Sequence, residues 1–484
     1  MKRENLSVAA ALLLLIAFPF ELFSGQNNTA ARWFNVMFKG VKVGYSRSLV
    51  LTAEYEGKLC KKTTNFMKIG LKRMGTGFDM DSSSSYYTGE DNTPLYFRYT
   101  ENQDKQLKIT EGKLNGENLD LTVNLAGEIL RKSVKYEKGA CLADSAEDII
   151  KKRGLKDKDS FTLRVFNNDS LSFDDLKIRV NADKDKKNGY IIEADIRGIA
   201  TMHQISADNE LLKSSVPRLG LEMVRVSEKE ALAFIVSELD LMDATALRSN
   251  RSIPDFKKVT FMKAEIVFSL GLPAAILEKL PAGVVVVKEK NTLLVTNRKK
   301  TAGEEKALNR PIFTKEFQPY LVPTVYEQSN DRGIIEKAVE LAGDEPNSYR
   351  AAKKITQWVY SHMRKKNYSA GFSSAKEALA SGEGDCTEHS VLASALLKAS
   401  GIPSRIAAGL APIGDRFYYH MWVEAYTGEW TAMDPTFNEV VLDAAHIKLS
   451  DGVLDEQGRY DLLLSVLQYF DRVSVNIIAI EPDK

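Results

Sequence analysis

From Trp33 to about Leu212 apolar and polar residues alternate along the chain, the period-two pattern of half-buried strands. "WFNVMFKGVKVGYSRSLVL" alternates on both sides of Lys39-Gly40, which predicts a hairpin with its turn at that dipeptide. "KLCKKTTNFMKIGLKRM", "PLYFRYT", "LDLTVNL", "FTLRVFN", "LKIRVNA" and "YIIEADIRG" continue the pattern, and turn-rich breaks are expected at Ser82–Ser85 and in "DKDKKNG", which ends at Gly189. The sum is an antiparallel sheet of many strands with one short helix over Ser145–Gly154 and no repeat of fixed period.

A second stretch, Lys257 to Thr314, holds "KVTFMKAEIVFSL" and "GVVVVKEKNTLLVTN" and is closed by the charged "RKKTAGEEK"; it reads as a small β module or a connection. After "YLVPT" the period becomes helical. Ile334, Ile335, Ala338, Val339 and Ala342 share one predicted face that Gly343 ends, and the next helix, from Ser348, is expected to bury Ile355, Trp358 and Val359. Ser374 with Glu377 forms a capping box. In "GEGDCTEHSVLASALLKASGIPSR" the residues Val391, Leu392, Ala395, Leu396 and Ala399 make the apolar face of a helix stopped by Gly401 and Pro403, with Cys386 in its first turn and Asp385 as cap. "RFYYHMWVEAY" and "WTAMDPTFNEVVL" flank a Thr-Gly turn and predict a hairpin. The expected fold class is α+β: residues 26–250 a β-rich domain, 255–314 a small β module or linker, and 315–484 an α+β domain, with a fragment from Ile312 expected to fold alone.

Residues 1–25 change the picture of where the protein works. Lys2 and Arg3 precede an apolar run from Leu6 to Phe20, the length of a signal-peptide core and short for a membrane span. Export to the periplasm or cell envelope is expected, with an uncleaved anchor as the alternative; the membrane would then be a partner only through this segment. The balance of 66 basic against 65 acidic residues, without a basic stripe, excludes a dedicated nucleic-acid binder. Of three cysteines, Cys60 and Cys141 lie in the first half, where a disulfide and two buried thiols are both open, and Cys386 stands alone.

His420 and Asp434 lie equally far from Thr427, so a hairpin centred there would make them cross-strand neighbours on one face. An imidazole held by a carboxylate can take the proton of a cysteine thiol, and a thiolate at a helix N-terminus gains from the N–H groups there. The plainer alternatives are a packed cysteine and a structural histidine. Cys386, Glu388 and His389 could instead ligate zinc, but no second Cys/His pair lies nearby.

"GEGDCTEHSVLASALLKASGIPSRIAAGL", "YYHMWVEAY" and "WTAMDPT" resemble the core of the bacterial transglutaminase-like superfamily, a branch of the papain-like Cys-His-Asp fold, over about Tyr320 to Leu449. The resemblance implies Cys386 as nucleophile, His420 as base and Asp434 as orienting carboxylate. Met421 departs from the small residue frequent between His and Trp in that family. Trp358 and Tyr368 are candidates for an oxyanion-stabilising side chain, Trp422 and Glu424 for hairpin supports, and Pro403 and Arg405 for structural roles. The expected function is an exported thiol enzyme acting on amide or peptide bonds of a protein or peptide substrate, with hydrolysis favoured over cross-linking. Calcium-loop patterns are absent, so no metal or other cofactor is expected. The alternative is a cell-envelope binding or assembly protein that holds peptide or lipid on its N-terminal sheet and uses the transglutaminase-like fold as scaffold.

Overall fold

A computed structural model of the chain describes residues 31–482 apart from positions 74, 104–105, 185–188, 235, 270, 274–275, 277–279, 281–283, 288–290, 301–302, 365–372 and 471–472. The expected signal segment and Tyr368 lie outside the described residues. Among the described residues no helix is long and apolar enough to cross a membrane. The chain divides into two compact units between Asp240 and Leu241.

The first unit is a fifteen-stranded sheet. Its opening strand, Arg32–Phe38, pairs on one side with Val41–Tyr55 and on the other with Leu221–Val226, both antiparallel. From there the strands follow chain order outward to Glu128–Lys135 on one side, and in reverse order to Cys141–Leu142 on the other. Lys39 (φ 49°) and Gly40 (φ 82°) make the predicted hairpin turn, since left-handed backbone at both positions matches the twist of the flanking strands. The short helix is present over Ala146–Arg153. Ser82–Ser85 do not break the chain. They lie inside the strand Thr76–Thr88, where Phe78, Met80, Ser82, Ser84 and Tyr86 alternate into the interior and Asn65 Nδ2 donates to Ser84 Oγ at 3.2 Å. Alternation outweighs the poor strand propensity of serine here.

The second unit holds an eight-stranded sheet and the helices of the expected α+β domain. Its strands are β1 (Leu247–Ile253), β2 (Val259–Phe268), β3 (Val284–Val287), β4 (Thr292–Arg298), β5 (Ser404–Tyr426), β6 (Trp430–Met433), β7 (Ile447–Gly452) and β8 (Val473–Pro482). The order is β3-β4-β2-β8-β1-β5-β6, with β7 also paired to β5. The strands read as a separate module or linker thus sit in the same sheet as the helical region's own strands. Helices α1 (Arg332–Ala342), α2 (Ser348–His362), α3 (Ala375–Ser381), α4 (Cys386–Ala399) and α5 (Glu456–Leu467) complete it.

Strands make up 50% of the protein and helices 23%, so it is mostly β and the α+β reading holds only coarsely. On α1 the buried residues are Ile334, Ala338 and Ala342, while Ile335 and Val339 face outward. On α2 Ile355 and Val359 are buried, whereas Trp358 is half-buried and stacks on His362 at 4.4 Å between ring centroids.

Candidate active site

The chain enters α4 through Gly384, whose φ of 145° is left to glycine; a Cβ there would sit 2.5 Å from Glu388 Cβ. Asp385 caps the helix by accepting from the Thr387 N–H at 2.8 Å, and Glu388 reaches back to accept from the Asp385 N–H at 2.9 Å. This reciprocal cap places Cys386 at the first helical residue, fully buried. The cap also answers the zinc alternative. The Glu388 oxygens accept from the Asp385 and Ser373 N–H groups, and His389 Nδ1 faces the Asp385 carbonyl, so both side chains serve the turn rather than a metal.

The hairpin forms, but its register differs from the expected one. Val423 faces Met433, Glu424 faces Ala432 and Tyr426 faces Trp430, which centres the turn on Gly428 (φ 117°) instead of Thr427. The shift moves the pairing by two residues, so His420 and Asp434 keep a common face but meet diagonally rather than directly opposite each other. His420 Nε2 and Asp434 Oδ2 are 2.7 Å apart and both residues are fully buried. Asp434 lies just past β6, in a turn where its Oδ1 accepts from the N–H groups of Thr436 (2.7 Å) and Phe437 (3.2 Å). With Nε2 donated to Asp434, the other ring nitrogen of His420, Nδ1, has no hydrogen-bond partner.

Strand β5 packs on α4. Thr387 Oγ1 donates to Met421 Sδ at 3.6 Å, so the residue after Cys386 touches the residue after His420. The departure from the family pattern at Met421 therefore falls on the contact between strand and helix start. Arg405 and Lys448 both pair with Glu424, at 2.7 Å each, which fixes the far half of β5. Trp358 stacks on His362 and is covered by Lys337, whose Nζ lies 5.0 Å from the ring centroid. Cys60 and Cys141 are buried thiols not joined by a disulfide.

Three further buried residues, none singled out from sequence, extend the site. His446 Nδ1 lies 2.9 Å from Asp443 Oδ2, and His446 Nε2 lies 3.4 Å from the same Asp434 oxygen that holds His420, too poorly aligned for a good hydrogen bond. A Glu439 carboxylate oxygen lies within 4.8 Å of Asp443 and His446, and the Glu439 backbone pairs with that of Asp434. The spacing Asp443-x-x-His446, in a chain with five histidines, was the available signal.

Burial and the charges that face each group compete to set the ionisation of His420, Asp434, Glu439 and His446. Burial lowers His420 below its ordinary value against the opposing charge of Asp434. Burial works against the Asp434 carboxylate too, but the facing imidazoles of His420 and His446 outweigh it and hold Asp434 well below the usual range. His446 is driven well above 6.5 because Asp443, Asp434 and Glu439 surround it more strongly than burial opposes its charge. Burial, then the charge of Asp443, pushes Glu439 up to about 9, so at neutral pH it is a protonated donor. The donor atoms of His420, Asp434 and His446, and of Glu439, Asp443 and His446, lie within 4.8 Å of one another, close enough for a metal to be considered. Their short contacts instead run pairwise between imidazole and carboxylate, the arrangement of a hydrogen-bonded network.

The model of the Transglutaminase-like superfamily matches residues 335–435, the span from α1 through Asp434. This segment is similar to a transglutaminase-like core. The matched span contains Cys386, His420 and Asp434, while His446, Asp443 and Glu439 follow it. No curated protein matches the chain. Among solved structures, a candidate cysteine protease from Cytophaga hutchinsonii is similar at 17% identity and TM-score 0.28, covering 46% of this chain and 86% of its own. A β-barrel-like protein of a domain of unknown function from Brucella abortus is similar at 9% identity and TM-score 0.31, covering 41% of this chain and 95% of its own. A candidate protease from Parabacteroides distasonis is similar at 13% identity and TM-score 0.19, covering 70% and 68%.

Proposed function

We propose that the protein is a thiol enzyme that acts on amide bonds of a protein or peptide substrate through an acyl-enzyme on Cys386. The observation that carries this reading is the state of His420: Asp434 holds Nε2, and Nδ1 is left without a partner in a fully buried site whose neighbouring residues tie it to the start of α4. A buried ring nitrogen without a partner is costly, and a role as proton acceptor accounts for it.

In this mechanism His420 Nδ1 takes the thiol proton, and Cys386 Sγ attacks the carbonyl carbon. The C–N bond then breaks as His420 returns the proton to the leaving amine. Water, deprotonated by the same nitrogen, attacks the thioester and releases the acid with Cys386 restored. Asp434 fixes the Nε2–H tautomer and offsets the charge of the imidazolium. The N-terminal turn of α4 favours both the thiolate and the oxyanion through its dipole. Hydrolysis is favoured over acyl transfer to an amine because water is always present as acceptor.

Alkylation of the full chain by iodoacetamide, with the modified cysteine identified by mass spectrometry, tests the reading. Cys386 should label near neutral pH, below its reference pKa of about 8.5, and slow sharply in His420→Ala. Asp434→Asn should retain the fold and lower turnover about 10³- to 10⁴-fold, the size of loss when an imidazole has the wrong tautomer. Equal labelling with and without His420 overturns it. The complete burial of Cys386, His420 and Asp434 favours a second reading, a binding or assembly protein that keeps the core as scaffold; a Cys386 that never labels in the folded state would select it. The Lys2-Arg3 segment further supports export, which fractionation of the native host checks: a cytoplasmic pool with intact Met1 ends that claim.

A further inference from the structure

His446 is fully buried beside the proposed dyad but touches no reacting atom in the mechanism above. Its ring centroid lies 5.5 Å from that of His420, and Trp422 and Phe256 pack edge-on against it. One carboxylate oxygen, Asp434 Oδ2, is therefore shared by two imidazoles, at 2.7 Å to His420 and 3.4 Å to His446. The Asp434 turn and the Asp443–His446 turn face each other, with Glu439 between them.

We propose that His446 is a positioning residue for the His420–Asp434 pair: standing 3.4 Å from the oxygen that holds His420, it draws part of that carboxylate's charge away from His420. The inference rests on the acyl-enzyme reading for its functional meaning, but its electrostatic content does not. A carboxylate facing one imidazole stabilises that imidazolium fully, whereas one facing two cations divides its field and adds the repulsion between them. The groups that face the two rings support the assignment. His420 meets Asp434, His446 and the Asp385 cap of α4, beside Cys386; His446 meets Asp434, Asp443 and Glu439. Lys257 Nζ lies 5.6 Å from the centre of the Phe437 ring, which itself packs on His420, and is a further cation nearby. With Glu439 protonated, the charges on His446, Asp434 and Asp443 leave one net negative charge, which a protonated His420 would balance. The consequence for an enzyme is a His420 that gives its proton up more readily to a leaving amine than a simple His-Asp pair would.

The test uses the full chain labelled with ¹⁵N-histidine, whose five rings are assigned by substitution and titrated by NMR. In His446→Gln the ionisation of His420 should move up by about one pH unit, as expected when a like charge about 5–6 Å away is removed. The alkaline limit of Cys386 alkylation should move with it. Asp443→Asn keeps the ring but removes the carboxylate that charges it, and should shift His420 in the same direction; it serves where His446→Gln does not fold. A His420 that titrates at the same pH in the wild type and in a folded variant overturns the proposal and makes His446 a packing residue. The two readings separate cleanly. A shift in His420 with alkylation indifferent to His420→Ala sustains the coupling and defeats the acyl-enzyme, and a His420-dependent alkylation limit that ignores His446 does the reverse.

Discussion

Asp434 was legible as the partner of His420 although the expected register was wrong by two residues. A strand presents alternate residues to one face, so an even error keeps the pair together and an odd one would have sent Asp434 to the other side. The error arose at the turn: "YTGEW" offers Thr427 and Gly428 as centres, and the left-handed backbone at Gly428 decides between them. The Asp443-x-x-His446 spacing marked two residues, but their meeting with Glu439 and Asp434 was not legible, because it depends on a loop without hydrophobic period. Glu439 carries a prediction of its own. Burial and the charge of Asp443 push its pKa up to about 9 from an ordinary 4.5, so folding retains a proton that the unfolded chain releases. Its contribution to stability is full below about pH 4.5 and fades as pH rises toward 9, by up to about 1.4 kcal/mol per pH unit. His446, also raised, acts in the same direction above 6.5. The slope of the urea midpoint against pH between 5 and 9 should therefore be more negative in the wild type than in Glu439→Gln, which stays neutral throughout. Parallel slopes for the two proteins would refute the assignment.

Helix α4 shows what an apolar stripe conceals. Val391, Leu392, Ala395 and Leu396 are buried as their spacing predicts, but so are Glu388, His389, Ser390, Ser394 and Lys398. The polar face escapes solvent because each polar group finds a partner inside. Lys398 Nζ meets Glu327 at 2.8 Å, Ser394 bonds to Glu327 and Ser404, and Ser390 donates to the Cys386 carbonyl. Such partners come from distant segments, so a helix that sequence makes amphipathic becomes a central one with α1, α2 and α3 around it and β5 against it. At its start the tolerance is smallest. Gly384→Ala forces a Cβ onto Glu388 in a left-handed backbone, which should cost about 1–3 kcal/mol and loosen the cap that places Cys386. Chemical denaturation measures the first effect and the rate of Cys386 alkylation the second; a variant unchanged in both would show that the entry turn does not set the cysteine.

For the whole chain, the change from strand period to helical period near Tyr320 marks a change of element type, not the edge of a compact unit. Strand β8 lies between β2 and β1, and β1 also flanks β5, so a fragment starting near Ile312 would leave β8 with neither sheet neighbour and β5 with β6 and β7 alone. A fragment from Leu241 to Lys484 should unfold in one cooperative transition and keep near-UV circular dichroism, whereas one from Ile312 should lack it. Native-like spectra from the shorter piece would contradict this. The period was readable and the partnership was not, since pairing across a hundred and more residues leaves no local trace.

The opening strand Arg32–Phe38 has another side. One of its neighbours, Val41–Tyr55, leaves the ribosome at once; the other, Leu221–Val226, follows about two hundred residues later. At about 5–20 residues per second, the edge awaiting that partner stays bare for roughly 10–40 seconds of synthesis. Each new hairpin can add to the growing side during that interval, while closure of the long loop waits for the last strand. The period during which this protein can be captured by another β-edge is thus written into the order of its strands, and a chaperone or a slow codon run acting before residue 226 would have the largest effect on its yield.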